Sequence, residues 1–167
     1  MRTKLLFLAL STLILAPATS VQAQTPATRA NIELKNVAEV EVAITGADGK
    51  PGQKRVPVQK AIPGTVVFYT STFKNVSAKP ADNISVKNPI PANTTLVAAS
   101  AYGEGMDIAF SADNGKTWAA ADKVKVKAAD GKERAAAVSE FTDIRWTLLG
   151  ELAAGKQGEA GFRVLVK

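Results

Sequence analysis

Residues 63–91 confine the chain more tightly than any other stretch. They run through a Pro-Gly pair, eight residues that are nearly all β-branched or aromatic, an asparagine-containing turn, a second short alternation and a Pro-Ile-Pro end. Pro63 presets φ and Gly64 tolerates φ above zero, so a tight turn is expected there with a strand behind it. From Val66 to Phe73, Val67, Tyr69, Ser71 and Phe73 fall on one face, and Val66, Phe68, Thr70 and Thr72 on the other. Both faces are partly apolar, which predicts a central strand. Lys74 to Pro80, with Asn75 and Ser77, has turn chemistry, and Asn83 to Lys87 resumes alternation with Ile84 and Val86 inward. The two strands are expected to pair as a central hairpin. Pro89 and Pro91 then end the ladder, because proline has no N–H to donate.

The same grammar recurs along the chain. Ile32 and Leu34, then Val40, Val42 and Ile44, predict one long or broken first strand. Glu39 and Glu41 occupy its opposite face. Ala47 to Gly52 is a turn, and Lys54 to Ala61 returns as an edge strand because Pro57 interrupts it. Further strands are expected at Thr95–Ala101, at Lys123–Lys127 with lysines on one face and valines on the other, at 144–148 and at 162–166. Glu133 to Phe141 is read as an irregular loop or short strand. About 7–9 short strands with frequent turn signals and no long helical pattern predict an all-β protein, an Ig-like β-sandwich.

The order Pro63-Gly64, Val67, Tyr69, Thr70, Thr72, Asn75, then Pro80-Ala81, Asn83-Ile84, Val86, Asn88-Pro89-Ile90-Pro91-Ala92 and Leu96-Val97 resembles the bacterial "conserved repeat" family, domain of unknown function 11. A weaker likeness continues through Gly155 and Phe162 to Val164. The resemblance implies an Ig-like fold in an exported or cell-surface protein and transfers no catalytic residues. Ser71 stands where that family usually has an apolar residue.

Residues 1–23 carry Arg2 and Lys4, an apolar run from Leu5 to Ala16, and a polar end at Val21-Gln22-Ala23. This is the pattern of a secretory signal peptide, whose apolar run is shorter than the roughly 20 residues a bilayer span needs. Cleavage predicts a mature chain from Gln24, with a leader over residues 24–30 and a single domain over 31–167. Loss of Arg2 and Lys4 leaves 19 basic against 15 acidic residues, a net charge of +4. The charges are spread rather than blocked, and no nucleic-acid motif accompanies them, so no nucleic-acid partner is expected.

There is no histidine and no cysteine. Ser-His-Asp and Cys-His nucleophilic sites, the usual zinc ligand sets and disulfides are thereby excluded. Glu39 and Glu41 have the residue type of a glycosidase pair, but their spacing puts both on one solvated face. Ser111, Asp113, Gly115 and Trp118 match Ser-x-Asp-x-Gly-x-x-Trp, which resembles the Asp-box hairpin of sialidase propellers and of many unrelated β proteins. Asp113 and Asn114 are expected to accept turn hydrogen bonds, with Gly115 at positive φ and Trp118 folded against Phe110. A calcium site at Asp113 lacks the run of oxygen ligands such loops use. Trp146, in phase with Ile144 and Leu148, is expected in the core.

The resulting expectation is a non-enzymatic structural or adhesive module of the bacterial envelope or extracellular space, periplasmic or at the cell surface, with no cofactor and no metal. Its partner is an envelope protein or polysaccharide. Binding of glycan or cell-wall polymer is the first alternative, with an exposed tryptophan beside a groove as its mark, and a carbohydrate-active hydrolase is a distant second. The chain is expected to be a monomer that does not span the membrane after cleavage; strand addition through Ile32–Ile44 is the alternative. Pro63, Gly64, Tyr69, Asn75, Asn83, Pro89 and Pro91 are structural positions, and function is expected on loops 101–118 and 128–142.

Overall fold

A computed structural model describes residues 31–167; the expected signal peptide and leader, residues 1–30, lie outside the described residues. The strands are β1 (Ile32–Thr45), β2 (Pro51–Pro57), β3 (Val66–Asn75), β4 (Ser85–Pro89), β5 (Thr94–Leu96) and β6 (Tyr102–Gly103), followed by β7 (Met106–Ser111), β8 (Lys125–Lys127), β9 (Glu133–Ala135), β10 (Asp143–Leu148) and β11 (Gln157–Val166). Seven have five residues or more, and β5, β6, β8 and β9 have two or three, which takes the strand count to eleven, above the expected 7–9. Val138–Glu140 is a single 3-10 turn.

The larger sheet has the order β2-β1-β3-β11-β5, with β6 also bonded to β11; the smaller is β4-β10-β7, and β8-β9 is a separate hairpin. Each pairing is antiparallel. The chain crosses between the two sheets four times among the described residues, from β3 to β4, β4 to β5, β6 to β7 and β10 to β11. Since β3 lies beside β11 and β4 beside β10, the first and last of these crossings run side by side.

β3 is central, as its two part-apolar faces predict: it bonds β1 on one side and β11 on the other. The expected hairpin between β3 and β4 does not form. The turn between them is long enough to carry the chain to the other sheet, where β4 pairs with β10. Ile62 to Thr65 close a type II turn, with the Thr65 N–H donating to the Ile62 carbonyl at 3.0 Å and Gly64 at φ 88°. Pro89 is the last residue of β4, an edge strand that spares its missing N–H. The Thr95–Ala101 segment is shorter than expected, since only Thr94–Leu96 pairs with β11.

Between the sheets lies one apolar core. Val67 and Phe73 of β3, Phe162 and Val164 of β11, and Ile144 and Trp146 of β10 are its centre, with Ile84 and Val86 beside them. Tyr69 stacks on Phe162, with ring centroids 5.2 Å apart. Ser71 occupies the inward row, and its hydroxyl donates to Asn36 Oδ1 at 2.7 Å and accepts from Asn88 Nδ2 at 2.7 Å. A serine suits this core position because it joins β1, β3 and β4 through polar groups that are otherwise costly to bury.

β1 and β2 run past the end of β3. Pairing of β1 with β3 stops at Val40↔Val67, whereas pairing with β2 continues to Thr45↔Pro51. Val42 and Ile44, inward by their phase, are therefore 37% and 41% exposed. Glu39 and Glu41 share the opposite face as expected, and Glu41 meets Arg55 of β2 at 3.4 Å. No helix among the described residues is long and apolar enough to cross a membrane.

Candidate functional site

Of the residues singled out in the sequence, Ser111, Asp113, Gly115 and Trp118 come together on one turn beyond β7. Pro63, Gly64, Tyr69, Asn75, Asn83, Pro89 and Pro91 are dispersed over the sandwich. Asn75 is more than a turn residue: it ends β3 with its side chain fully buried. Its amide donates to the Lys79 carbonyl at 2.7 Å and the Leu152 carbonyl at 2.9 Å, and its carbonyl oxygen accepts from the Ser77 N–H at 3.0 Å and hydroxyl at 2.7 Å. Asn83, by contrast, sits in a turn at φ 52°.

The Asp113 turn is held from within. The Ser111 hydroxyl donates to Asp113 Oδ1 at 2.7 Å and accepts the N–H groups of Asp113 at 3.2 Å and Gly115 at 2.9 Å. Asp113 accepts from the N–H groups of Lys116 at 3.1 Å and Thr117 at 2.9 Å, and from the Thr117 hydroxyl at 2.7 Å. Asn114 and Gly115 take φ of 58° and 75°. Asn114 accepts no turn bond of the kind expected; its N–H donates to the Thr142 hydroxyl at 2.9 Å. Thr142 belongs to the second expected loop, so 101–118 and 128–142 meet here. Arg134 and Glu140 brace that loop at 2.7 Å.

These donors hold the Asp113 carboxyl at about 2, the largest cause being the Thr117 N–H, followed by the Ser111 and Thr117 hydroxyls. A carboxyl lowered by folding contributes stability in full above its ordinary value of 3.8, and the contribution is lost as pH falls from there through about 2. Glu140, held at about 2 mainly by Arg134, acts in the same window. Melting curves between about pH 5 and pH 2 are therefore expected to fall less steeply for Asp113→Asn than for the unaltered chain, with the Glu140 share of the slope remaining. Equal slopes for the two proteins would contradict this role of Asp113.

Trp118 does not fold against Phe110. Phe110 bonds Ala119 in an isolated bridge, so Ala119 shares its side of the sheet and the preceding residue points to the other. Phe110 stacks instead on Phe141 at 5.1 Å. Trp118 lies over Gly115, where an added Cβ would be 3.2 Å from the indole. It lies equally on the outer face of the smaller sheet, with the Arg145 guanidinium 4.8 Å and the Lys87 ammonium 5.8 Å from the ring. Lys87 and Arg145 are direct cross-strand partners, and Ala109 follows Arg145 in the same row. An indole lying across that row accounts for the burial of Ala109.

The other tryptophan is different: Trp146 is fully buried, as its phase predicts, 5.9 Å from Phe162, and its indole N–H has no partner among the described residues. Neither Lys87 nor Arg145 stands out in the sequence, although their phase opposite Val86 and Trp146 places each outward. What hid them is the pairing of β4 with β10. No group of three or more Asp and Glu residues among the described ones is placed to hold a metal ion. No family model, curated protein or solved structure matches this chain.

Proposed function

We propose that the chain acts as an exported, non-enzymatic Ig-like module, a structural or adhesive component of the bacterial envelope or extracellular space. The observation that carries this reading is architectural: two antiparallel sheets close on one apolar core, and the Asp113 and Glu140 carboxylates are tied to a turn and to an arginine. Support for the Ig-like assignment comes from two antiparallel sheets joined by crossing strands, as in the ABED and CFG sheets of that fold. Here the neighbour of β3 is the last strand, so the strand order is a variant of that arrangement. The apolar run over Leu5–Ala16 and the small residues before Gln24 support export.

Expressed from its full sequence in a bacterium, the chain is expected to accumulate outside the cytoplasm with Gln24 as its first residue by mass spectrometry. A cytoplasmic chain that still begins at Met1 would overturn the proposal. A second reading, binding of a glycan or cell-wall polymer, is favoured by one observation: Trp118 is half-buried rather than buried and lies beside two cations on the outer face of the smaller sheet.

A further inference from the structure

We infer that the outer face of the β4-β10-β7 sheet is a recognition site for a carboxylate group carried on an acidic polysaccharide, with Arg145 and Lys87 as its ligands and Trp118 as the surface that orders them. The inference rests on the polymer-binding reading and names its ligand chemistry.

Cross-strand placement puts two positive charges directly opposite each other, at Lys87 and Arg145. Like charges placed directly opposite destabilise a sheet. Elsewhere Arg55, Arg134 and Lys125 meet a glutamate across a turn or strand. Lys87 and Arg145 have no carboxylate within 4.0 Å among the described residues. Asp143 and Asp107, on the same outward rows one ladder step to either side, mark the limits of the positive patch.

Stacking on Trp118 fixes the two cations without neutralising them, since the attraction is to the ring quadrupole. The indole is itself seated on Gly115, in a turn held by hydrogen bonds to the Ser111 hydroxyl and the Asp113 carboxylate. A guanidinium laid on an aromatic ring has little rotamer freedom left to lose and presents a planar fork that matches a carboxylate. The exposed part of the indole adds an apolar surface for the C–H face of a sugar.

The size of the patch sets the partner class. Juxtamembrane segments that bind anionic lipid use clusters of about 4–8 basic residues, and duplex nucleic acid is held through several phosphates. Two cations bounded by two aspartates match one isolated negative group per ligand residue, as in a polyuronate.

Affinity electrophoresis of the full chain, as purified after expression, in gels containing polygalacturonate, dextran or polyphosphate tests this. Retardation is expected with polygalacturonate and should weaken with added salt. The double variant Lys87→Gln/Arg145→Gln is expected to lower that affinity about tenfold or more, and Arg145→Lys to lower it less. Lys54→Gln, on β2, is the control expected to leave it unchanged. Circular dichroism of each variant separates a lost site from a lost fold, and both substitutions lie on an outer face. Retardation by dextran that the double variant retains would keep the polymer-binding reading and overturn this site. Retardation by polyphosphate alone would overturn the carboxylate assignment. No retardation in any gel would overturn both.

Discussion

Gly158→Ala is expected to destabilise the protein by about 1–3 kcal/mol, the range for overpacking a well-packed core. Gly158 stands directly opposite Phe73 on the inward row shared by β3 and β11. A Cβ there would overlap the Phe73 ring, which is fully buried, so the ring or the β11 backbone has to shift. The backbone at Gly158 is ordinary extended strand, so the cost is steric rather than conformational. In thermal melts the loss corresponds to a drop on the order of 5 °C. Phe73→Leu alone should also destabilise, but combined with Gly158→Ala it should cost less than the two separate losses together. An unchanged melting temperature for Gly158→Ala would show that the ring does not lie over the glycine.

Asn75→Ala is expected to cost about 2–4 kcal/mol in urea unfolding, because four hydrogen bonds of about 0.5–1.5 kcal/mol each end on this side chain. The damage should be concentrated where Asn75 holds the 77–79 turn and the Leu152 segment to the end of β3, so protease cleavage within 76–82 should accelerate. Asn83→Gly gives the contrast. That position requires only a residue tolerant of φ near 52°, and glycine provides it, so stability should change little. If the two substitutions proved equally mild, Asn75 would be a turn residue and not a clamp.

These two asparagines show where sequence reasoning reaches its limit. Both stand beside small or polar residues in a segment rich in turn formers, and local chemistry cannot tell a buried clamp from an exposed reversal. Alternation is read more securely. Val67, Tyr69 and Phe73, Ile84 and Val86, Ile144 and Trp146, and Phe162 and Val164 all face inward as their phase predicts, because burial on one face of a pleated strand imposes a period of two. Phase does not reveal which strands are neighbours. The 66–73 and 83–87 segments look like a hairpin because they are close in sequence, yet the intervening turn carries the second into the opposite sheet. That single misplacement hides the candidate site: Arg145 and Lys87 are unremarkable until β4 lies against β10. Within the Asp113 turn the spacing of Ser111, Asp113 and Gly115 is legible because its hydrogen bonds are local. The side taken by Trp118 depends on the bridge between Phe110 and Ala119, which the spacing does not encode.

The place of β11 has a mechanical consequence. β1 and β11 flank β3 and are both antiparallel to it, so they run in the same direction. Ile32 lies opposite Asn75 at one end of the sheet, and Leu165 lies opposite Val66 at the other. Tension between these two positions is directed along the strands and perpendicular to the ladder bonds. The β1-β3 and β3-β11 bonds are then loaded together in shear, instead of opening one after another like a zip.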